Sequence, residues 1–313
     1  MSRFLVTGGA GFIAGHITEL LVSKGEDVIV FDNLKTGNPD NLKAVKDKIE
    51  FFKGDICNID DLNKAMAGVD YVIHHAAEIS VFDSLKDPIG AAEVNVMGTL
   101  KVLFAAKEAG VKRVTLASSA AVYGDTGDRA QSETFLPNPL SPYGASKICD
   151  EYYYSVFSQI YGIETVCLRY FNVYGPRQNP KSQYAAVIPI FTDRVIHNQE
   201  IFINGDGEQT RDFVFVKDVA RANYIAATKP GISGEVFNIA TEENISVNAL
   251  ADKLIALSGN DIKVTHRDAV VGDIKYSKSN TAKAREVLGW KPEVSFDEGI
   301  METFEFFKEK YGN

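Results

Sequence analysis

The run Ser141-Pro142-Tyr143-Gly144-Ala145-Ser146-Lys147 places a phenol and an ammonium four residues apart. Pro142 suits the first turn of a helix, and on that helix Tyr143 and Lys147 share a face. An isolated phenol titrates at about 10 and is a poor base at neutral pH. A nearby ammonium favours the phenolate and moves it towards the working range of a general acid–base. Ser119 lies 24 residues earlier, in Ala117-Ser118-Ser119-Ala120-Ala121-Val122-Tyr123-Gly124. Its hydroxyl could hydrogen-bond the same substrate oxygen. Taken alone, a Tyr and a Lys at this spacing describe any packed helix surface, and Tyr152, Tyr153 and Tyr154 read that way, as core or interface aromatics. The pair gains meaning from what precedes it.

Val6-Thr7-Gly8-Gly9-Ala10-Gly11-Phe12-Ile13-Ala14-Gly15 follows one apolar run and opens a helical pattern. Gly8 can take the tight turn, Gly11 lets a pyrophosphate approach the backbone, and Ala14 allows close helix–strand packing. Amides at a helix start supply donors and partial positive charge to phosphate without a cationic side chain. Asp32 falls 21 residues after Gly11, at the end of the second apolar run. A carboxylate there can accept from both ribose hydroxyls and repels a 2′-phosphate, which favours NAD over NADP. Gly54-Asp55-Ile56 could bring an acid near adenine. The small residues of His74-His75-Ala76-Ala77 would let a cofactor lie against the backbone. The two histidines do not read as a metal site, because strand neighbours point to opposite faces and no carboxylate or cysteine completes a ligand set.

The positioning elements follow from periodicity. Strand patterns occupy 3–7, 27–31, 50–53, 69–74, 113–118 and 164–170, and helical spacing occupies 12–24, 59–67, 90–109 and 142–161. This alternation predicts an α/β fold: a Rossmann-type doubly wound parallel sheet with helices on both faces and ligands beyond the carboxyl ends of the strands. After Pro176 turn formers cluster. Runs 212–216 and 235–239, flanking a helix near 217–228, are expected to return to the first sheet. The predicted division is a cofactor domain over 1–174, rejoined by 212–240, and a smaller lobe made of 175–211 and 241–313. The 313 residues are 45% hydrophobic and 24% charged with a net charge of −9. That composition excludes a disordered chain and argues against nucleic-acid and membrane-surface partners. Three scattered cysteines suggest a reducing compartment. With no room for a signal peptide before the strand at Phe4, and no apolar run near about 20 residues, a cytoplasmic protein is expected.

At this point the sequence resembles the extended short-chain dehydrogenase/reductases, specifically nucleotide-sugar 4-epimerases of the UDP-galactose 4-epimerase type. The resemblance spans nearly the whole chain. It rests on TGGAGFIAGH (7–16), DN (32–33), GD (54–55), HHAA (74–77), NVMGT (95–99), SSAAVYG (118–124), YGASK (143–147), RYFNVYGPRQ (169–178), GDGEQTRDF (205–213), GD (272–273) and LGWKP (288–292). It implies bound NAD and a catalytic Ser119, Tyr143 and Lys147. The cofactor contacts it implies are Gly8, Gly11, Phe12, Ile13, Asp32, Asn33, Asp55, Ile56, Ala76, Ala77, Asn95, Ser118, Tyr143, Lys147 and Tyr170. The implied substrate contacts are Ser119, Tyr143, Asn172, Phe202, Arg211, Asp273 and Ser277, the substrate being a UDP-sugar. Members often dimerise through helices matching 90–109 and 142–161, so a homodimer is expected. The chain departs from the pattern at Ala14, usually Gly, and at Val270, where a phosphate-binding Arg is common. Whether Arg267 takes that place is open.

The resemblance also separates sister reactions. The similar dehydratases carry an Asp-Glu pair just after the catalytic Ser or Thr, and the decarboxylases a Glu. Ala120 and Ala121 occupy that place here and transfer no protons. The expected reaction is therefore C4 epimerisation of UDP-glucose and UDP-galactose through a 4-keto sugar. Ser277 stands where a bulky residue would exclude a C2 N-acetyl group, so UDP-GlcNAc and UDP-GalNAc are expected substrates too. A UDP-glucuronate 4-epimerase, a dehydratase, a reductase, or a non-catalytic NAD sensor are the other readings.

Overall fold

The computed structural model describes residues 1–180, 186–270 and 274–312. Its first elements are β1 (Arg3–Thr7), α1 (Phe12–Ser23), β2 (Asp27–Asp32), β3 (Glu50–Lys53), α2 (Ile59–Ala65) and β4 (Tyr71–His74). A long helical passage follows: α3 (Val81–Lys86), α4 (Pro88–Ala92), a π-helical turn at Glu93–Gly98 and α5 (Thr99–Glu108). Next come β5 (Arg113–Ser119), α6 (Pro142–Ile160), β6 (Glu164–Tyr170), β7 (Asn172–Tyr174), α7 (Val187–Ile196), β8 (Ile201–Asn204), β9 (Thr210–Arg211) and β10 (Phe213–Phe215). The chain closes with α8 (Val216–Thr228), β11 (Glu235–Ile239), β12 (Ile245–Ser246), α9 (Val247–Ser258), β13 (Val264–Arg267) and α10 (Phe296–Tyr311).

Seven parallel strands form the main sheet in the order β3-β2-β1-β4-β5-β6-β11. Parallel strands covered on both faces read as continuous apolar runs; Phe4, Leu5 and Val6 of β1 are wholly buried. One face carries α2, α5 and α6 through Leu62, Val102, Leu103 and Phe157. The other carries α1 and α8 through Ile17, Leu21, Ala220 and Ala227. Six expected strands and the α1, α2 and α6 helices fall where periodicity put them, to within a residue or two at most ends.

Two expectations change. Run 212–216 does not rejoin the large sheet: β10 pairs with β7 in a separate ladder, Phe213 beside Asn172. The reason is its side chains. Phe213 and Phe215 belong to a second apolar core with Phe191, Leu254 and Phe304, so this strand faces the smaller lobe, and only β11 returns to the sheet edge. The 90–109 helix falls within two residues of its expected ends, but it is more apolar than the expectation of no run near membrane-spanning length allowed. Pro88–Glu108 is a 21-residue helical stretch whose most apolar 18-residue window has mean hydropathy 1.3, long and apolar enough by composition to cross a membrane. Val102, Leu103, Ala105 and Ala106 bury its inner face against the sheet, as in the core helix of a globular domain.

Candidate active site

β1 ends at Thr7, and Gly8 turns the chain with φ +66°. A Cβ at Gly8 would lie 2.8 Å from the Ala76 amide nitrogen, so the two strand ends touch through backbone alone. The Gly8 amide donates to the Phe31 carbonyl at 2.8 Å, tying the turn to β2. Asp32 is buried at the end of β2; one oxygen accepts from the Ala10 amide at 3.0 Å and the other from the Leu34 amide at 2.7 Å. Each oxygen keeps acceptor capacity for a ribose hydroxyl. Gly11 starts α1 with no side-chain cap, so the first-turn amides, unpartnered within any helix, are left to a ligand.

These groups border a cavity of about 310 Å³. Its wall holds Gly8, Gly11, Phe12, Ile13, Asp32, Asn33, Asp55, Ile56, Ala76, Ala77, Ser118, Tyr143, Lys147 and Tyr170, every expected cofactor contact but one. The exception is Asn95, which is spent on the chain itself. Its Oδ1 accepts from the Glu78 amide at 2.7 Å, and its Nδ2 donates to the Glu78 carbonyl and Ser146 Oγ at 3.0 Å. Asn95 therefore fixes the loop after β4, and the π-helical turn that holds it is the kind of bulge often found at functional sites. Partial burial pushes the Asp55 carboxyl up. The Cys57 amide and Asn33 side chain overcome that and hold it below the usual carboxylate range.

Ser141 caps α6 by accepting from the Gly144 amide, with Pro142 in the first turn. That start aims Tyr143 and Lys147 at the cavity. The Lys147 ammonium lies 5.9 Å from the centroid of the Tyr143 ring, and its side chain is 4% exposed. The Tyr143 amide donates to Ser84 Oγ at 3.2 Å. Behind the pair, Glu151 on α6 takes a two-point contact from Arg169 on β6, at 2.9 and 2.6 Å. Ser118 on β5 donates to the same carboxylate. Bidentate charge-assisted contacts of this kind fix geometry as well as energy, so α6 is locked in register with the strand that ends at Ser119.

His74 and His75 diverge as strand neighbours should. The His74 ring nitrogens meet Thr7 and Thr99 at 2.7 and 3.0 Å; His75 Nε2 meets the Tyr170 hydroxyl at 3.1 Å. Burial holds both rings neutral, His75 being pushed down to about 3.

A second cavity of about 640 Å³ opens on the lobe side. Ile13, Ile79, Ser118, Tyr143 and Tyr170 border both cavities, so the two meet at the Tyr143 phenol. Of the expected substrate contacts, Ser119, Tyr143, Asn172, Phe202 and Arg211 line the second cavity. Asn172 Nδ2 donates to the Asp212 carbonyl at 2.9 Å. The Asp212 carboxylate accepts from Thr241, Glu242 and Ser279 and pins the segment carrying Arg211. The Phe202 ring carries cations: the Arg267 guanidinium sits 3.4 Å from its centroid and that of Arg194 4.9 Å, so a base laid there would share the ring with Arg267. Ser277 is not in the cavity wall. Its amide donates to the Thr210 carbonyl at 3.2 Å, because residues 275–277 lie along β9. Asp273 falls outside the described residues.

Sequence reasoning did not single out Lys35, Thr36, Gly37 and Glu78 in the first wall, nor Tyr174, Phe191 and Gln209 in the second. The first group flanks Asp32 and Ala77, so chain adjacency was the available signal.

A doubly wound parallel sheet, a glycine turn against an acid at the end of β2, and a half-buried Tyr143 beside a buried Lys147 define a dinucleotide-dependent enzyme scaffold. The chain belongs to the NAD dependent epimerase/dehydratase family, whose sequence profile matches residues 4–240, and its cofactor is NAD. It is 38% identical to a UDP-glucose 4-epimerase of Mycolicibacterium smegmatis, over 98% of this chain and 99% of that one. A UDP-glucose 4-epimerase of Thermotoga maritima, solved with UDP-glucose, superposes with TM-score 0.93 at 38% identity, covering 98% of this chain and 99% of that one. A UDP-N-acetylglucosamine 4-epimerase of Methanobrevibacter ruminantium, solved with UDP-N-acetylmuramic acid, gives 0.94 at 36% identity, covering 99% of each.

Proposed function

We propose that this chain is a UDP-sugar C4 epimerase acting on UDP-glucose/UDP-galactose and on UDP-GlcNAc/UDP-GalNAc. The observation that carries the reading is the meeting of a cofactor cavity and a larger lobe-side cavity at Tyr143. NAD, when bound, accepts the C4 hydride and returns it. Tyr143 takes the proton of the sugar 4-hydroxyl and later gives it back. Lys147 sets a positive charge beside the phenol ring, Ser119 steadies the same oxygen, and Arg211 and Asn172 hold the sugar-nucleotide phosphates. The 4-keto sugar turns about its pyrophosphate and presents its other face before reduction. Ala120 and Ala121 open the 3₁₀ turn after Ser119; having no proton to transfer, they favour epimerisation over dehydration. Residues 1–174 with α8 and β11 would form the cofactor domain and the remainder the sugar-nucleotide lobe.

The test is to incubate purified protein, without added NAD, with UDP-galactose, UDP-GlcNAc and UDP-glucuronate separately and resolve C4 epimers by chromatography. Epimers of the first two support the reading. Epimerisation of the glucuronate alone, net NADH, or a released keto product would overturn it. We further propose a cytoplasmic homodimer. Met97 and Phe104 on the 88–108 stretch, with Tyr152, Val156 and Ile160 on α6, expose 45–72% of their surface, an apolar face of the kind that marks association. Light scattering of wild type and Phe104→Glu checks it; a monomeric wild type contradicts it.

A further inference from the structure

Asp150 lies on α6 three residues past Lys147, is wholly buried, and has no formed hydrogen bond to either carboxylate oxygen. Burying a carboxyl without donors is costly, and such a residue calls for an account. Its Oδ2 lies 3.9 Å from Lys147 Nζ, in a setting where that ammonium is itself buried.

A directed chain of hydrogen bonds leads to it from β1. Thr7 Oγ1 accepts from the His75 and Ala76 amides, so its single hydrogen goes to His74 Nδ1 at 2.7 Å. His74 is neutral, which leaves its hydrogen on Nε2, directed at Thr99 Oγ1 at 3.0 Å. The Thr99 hydroxyl hydrogen is then free to turn outward. From α5 it faces Asp150 too loosely for a formed hydrogen bond, yet close enough to favour the ionised carboxylate. Of the other groups around Asp150, Glu151 adds a negative charge that pushes its carboxyl up, less than burial does. Glu151 is paired with Arg169 at 2.6 Å. Burial pushes the thiols of Cys149 and Cys167 and the phenol of Tyr154 up, so all three stay neutral at working pH. Lys147 is the charge that Asp150 answers. Burial pushes the Asp150 carboxyl up to about 7 against the pull of that ammonium.

We propose that Asp150 is a positioning residue that sets how strongly Lys147 acts on Tyr143. As a carboxylate it offsets the ammonium and tempers the stabilisation of the phenolate; once protonated or removed, it exposes Tyr143 to the full ammonium. This rests on the reading of Tyr143 as the proton carrier.

The experiment is a pH titration of phenolate ultraviolet absorbance on the NAD-loaded protein, for wild type, Tyr143→Phe, Asp150→Asn, Asp150→Glu and Thr99→Val. The component lost in Tyr143→Phe is that of Tyr143. In Asp150→Asn its midpoint moves down by about one pH unit, and the acid limb of the epimerisation rate moves with it. Thr99→Val, which withdraws the hydroxyl favouring ionised Asp150, moves it the same way by less, while Asp150→Glu stays near wild type. A purely structural role would lower thermal stability without moving the midpoint. An unmoved or raised midpoint in folded Asp150→Asn overturns the inference; should that variant not fold, an unmoved midpoint in Thr99→Val does so. A phenolate component that persists in Tyr143→Phe overturns the underlying assignment instead, and is distinguishable on that ground.

Discussion

Replacing Gly8 by Ala tests the cofactor turn quantitatively. Two costs arise there. An L-residue at φ +66° pays about 1 kcal/mol for the left-handed backbone. The added Cβ would also sit 2.8 Å from the Ala76 nitrogen and 2.9 Å from its Cα. Both are backbone atoms, so a strand end must shift, at about 1–3 kcal/mol. Gly110 provides the control: its φ is +72° and nothing lies within 4 Å of its Cβ position. Gly110→Ala should therefore lose only the first amount, about 1 kcal/mol, and Gly8→Ala about 2–4 kcal/mol. The excess falls on the Gly8–Ala76 contact, which borders the cofactor cavity. NAD affinity, measured by calorimetry on NAD-stripped protein, should fall about tenfold to a hundredfold in Gly8→Ala and stay unchanged in Gly110→Ala. Matching stability and matching NAD affinity in the two variants would refute the reasoning.

Asp212→Ala leaves the donors of Thr241, Glu242 and Ser279 without their acceptor; it should cost about 3 kcal/mol in denaturant unfolding and raise KM through the displaced Arg211. Burial, with Arg177 second, lowers His16 to about 3, and burial lowers His75 to about 3 and His74 well below 6.5. These three contribute stability above the unfolded value of about 6.5, and it is lost as pH falls below that. Asp150, raised to about 7, contributes the opposite slope: its share is complete below the ordinary carboxylate range and fades as pH rises through about 7. Asp212 and Asp218, also pushed up by burial, share that slope, but the histidine shifts are the larger ones, so stability should fall on acidification from about pH 6 to 4. A thermal midpoint flat over that range contradicts this. Because Ser277 lies along β9 and outside the cavity wall, Ser277→Tyr should leave the ratio of rates on plain and N-acetylated UDP-sugars unchanged; selective loss of the N-acetylated substrates would contradict this placement.

What was legible in the sequence was whatever depended on the chain's own local order. The runs around Phe4-Leu5-Val6 and Val28-Ile29-Val30 are apolar because both sheet faces are covered, and Gly8, Gly11 and Asp32 announce a turn by type and spacing. Properties set by a distant partner were not legible. Asn95 has the type of a ligand contact, but Glu78, 17 residues away, uses both ends of its amide. Phe213-Val214-Phe215 reads as a strand without naming its neighbour, and its aromatic pair took it to the lobe core. Phe202 has the type of a substrate contact, but nothing in the sequence announces Arg267 on its ring. Asp150 reads as a surface acid of a helix, because its burial depends on α5 packing over that face.

The central claim is that Tyr143 carries the proton while NAD carries the hydride. The most direct measurement is epimerisation by Tyr143→Phe, scored with UDP-galactose and UDP-GlcNAc alongside NAD content and UDP-sugar affinity. The account predicts turnover lowered by at least about a hundredfold, with NAD content and substrate binding close to wild type. Turnover at the wild-type rate in that variant would contradict it.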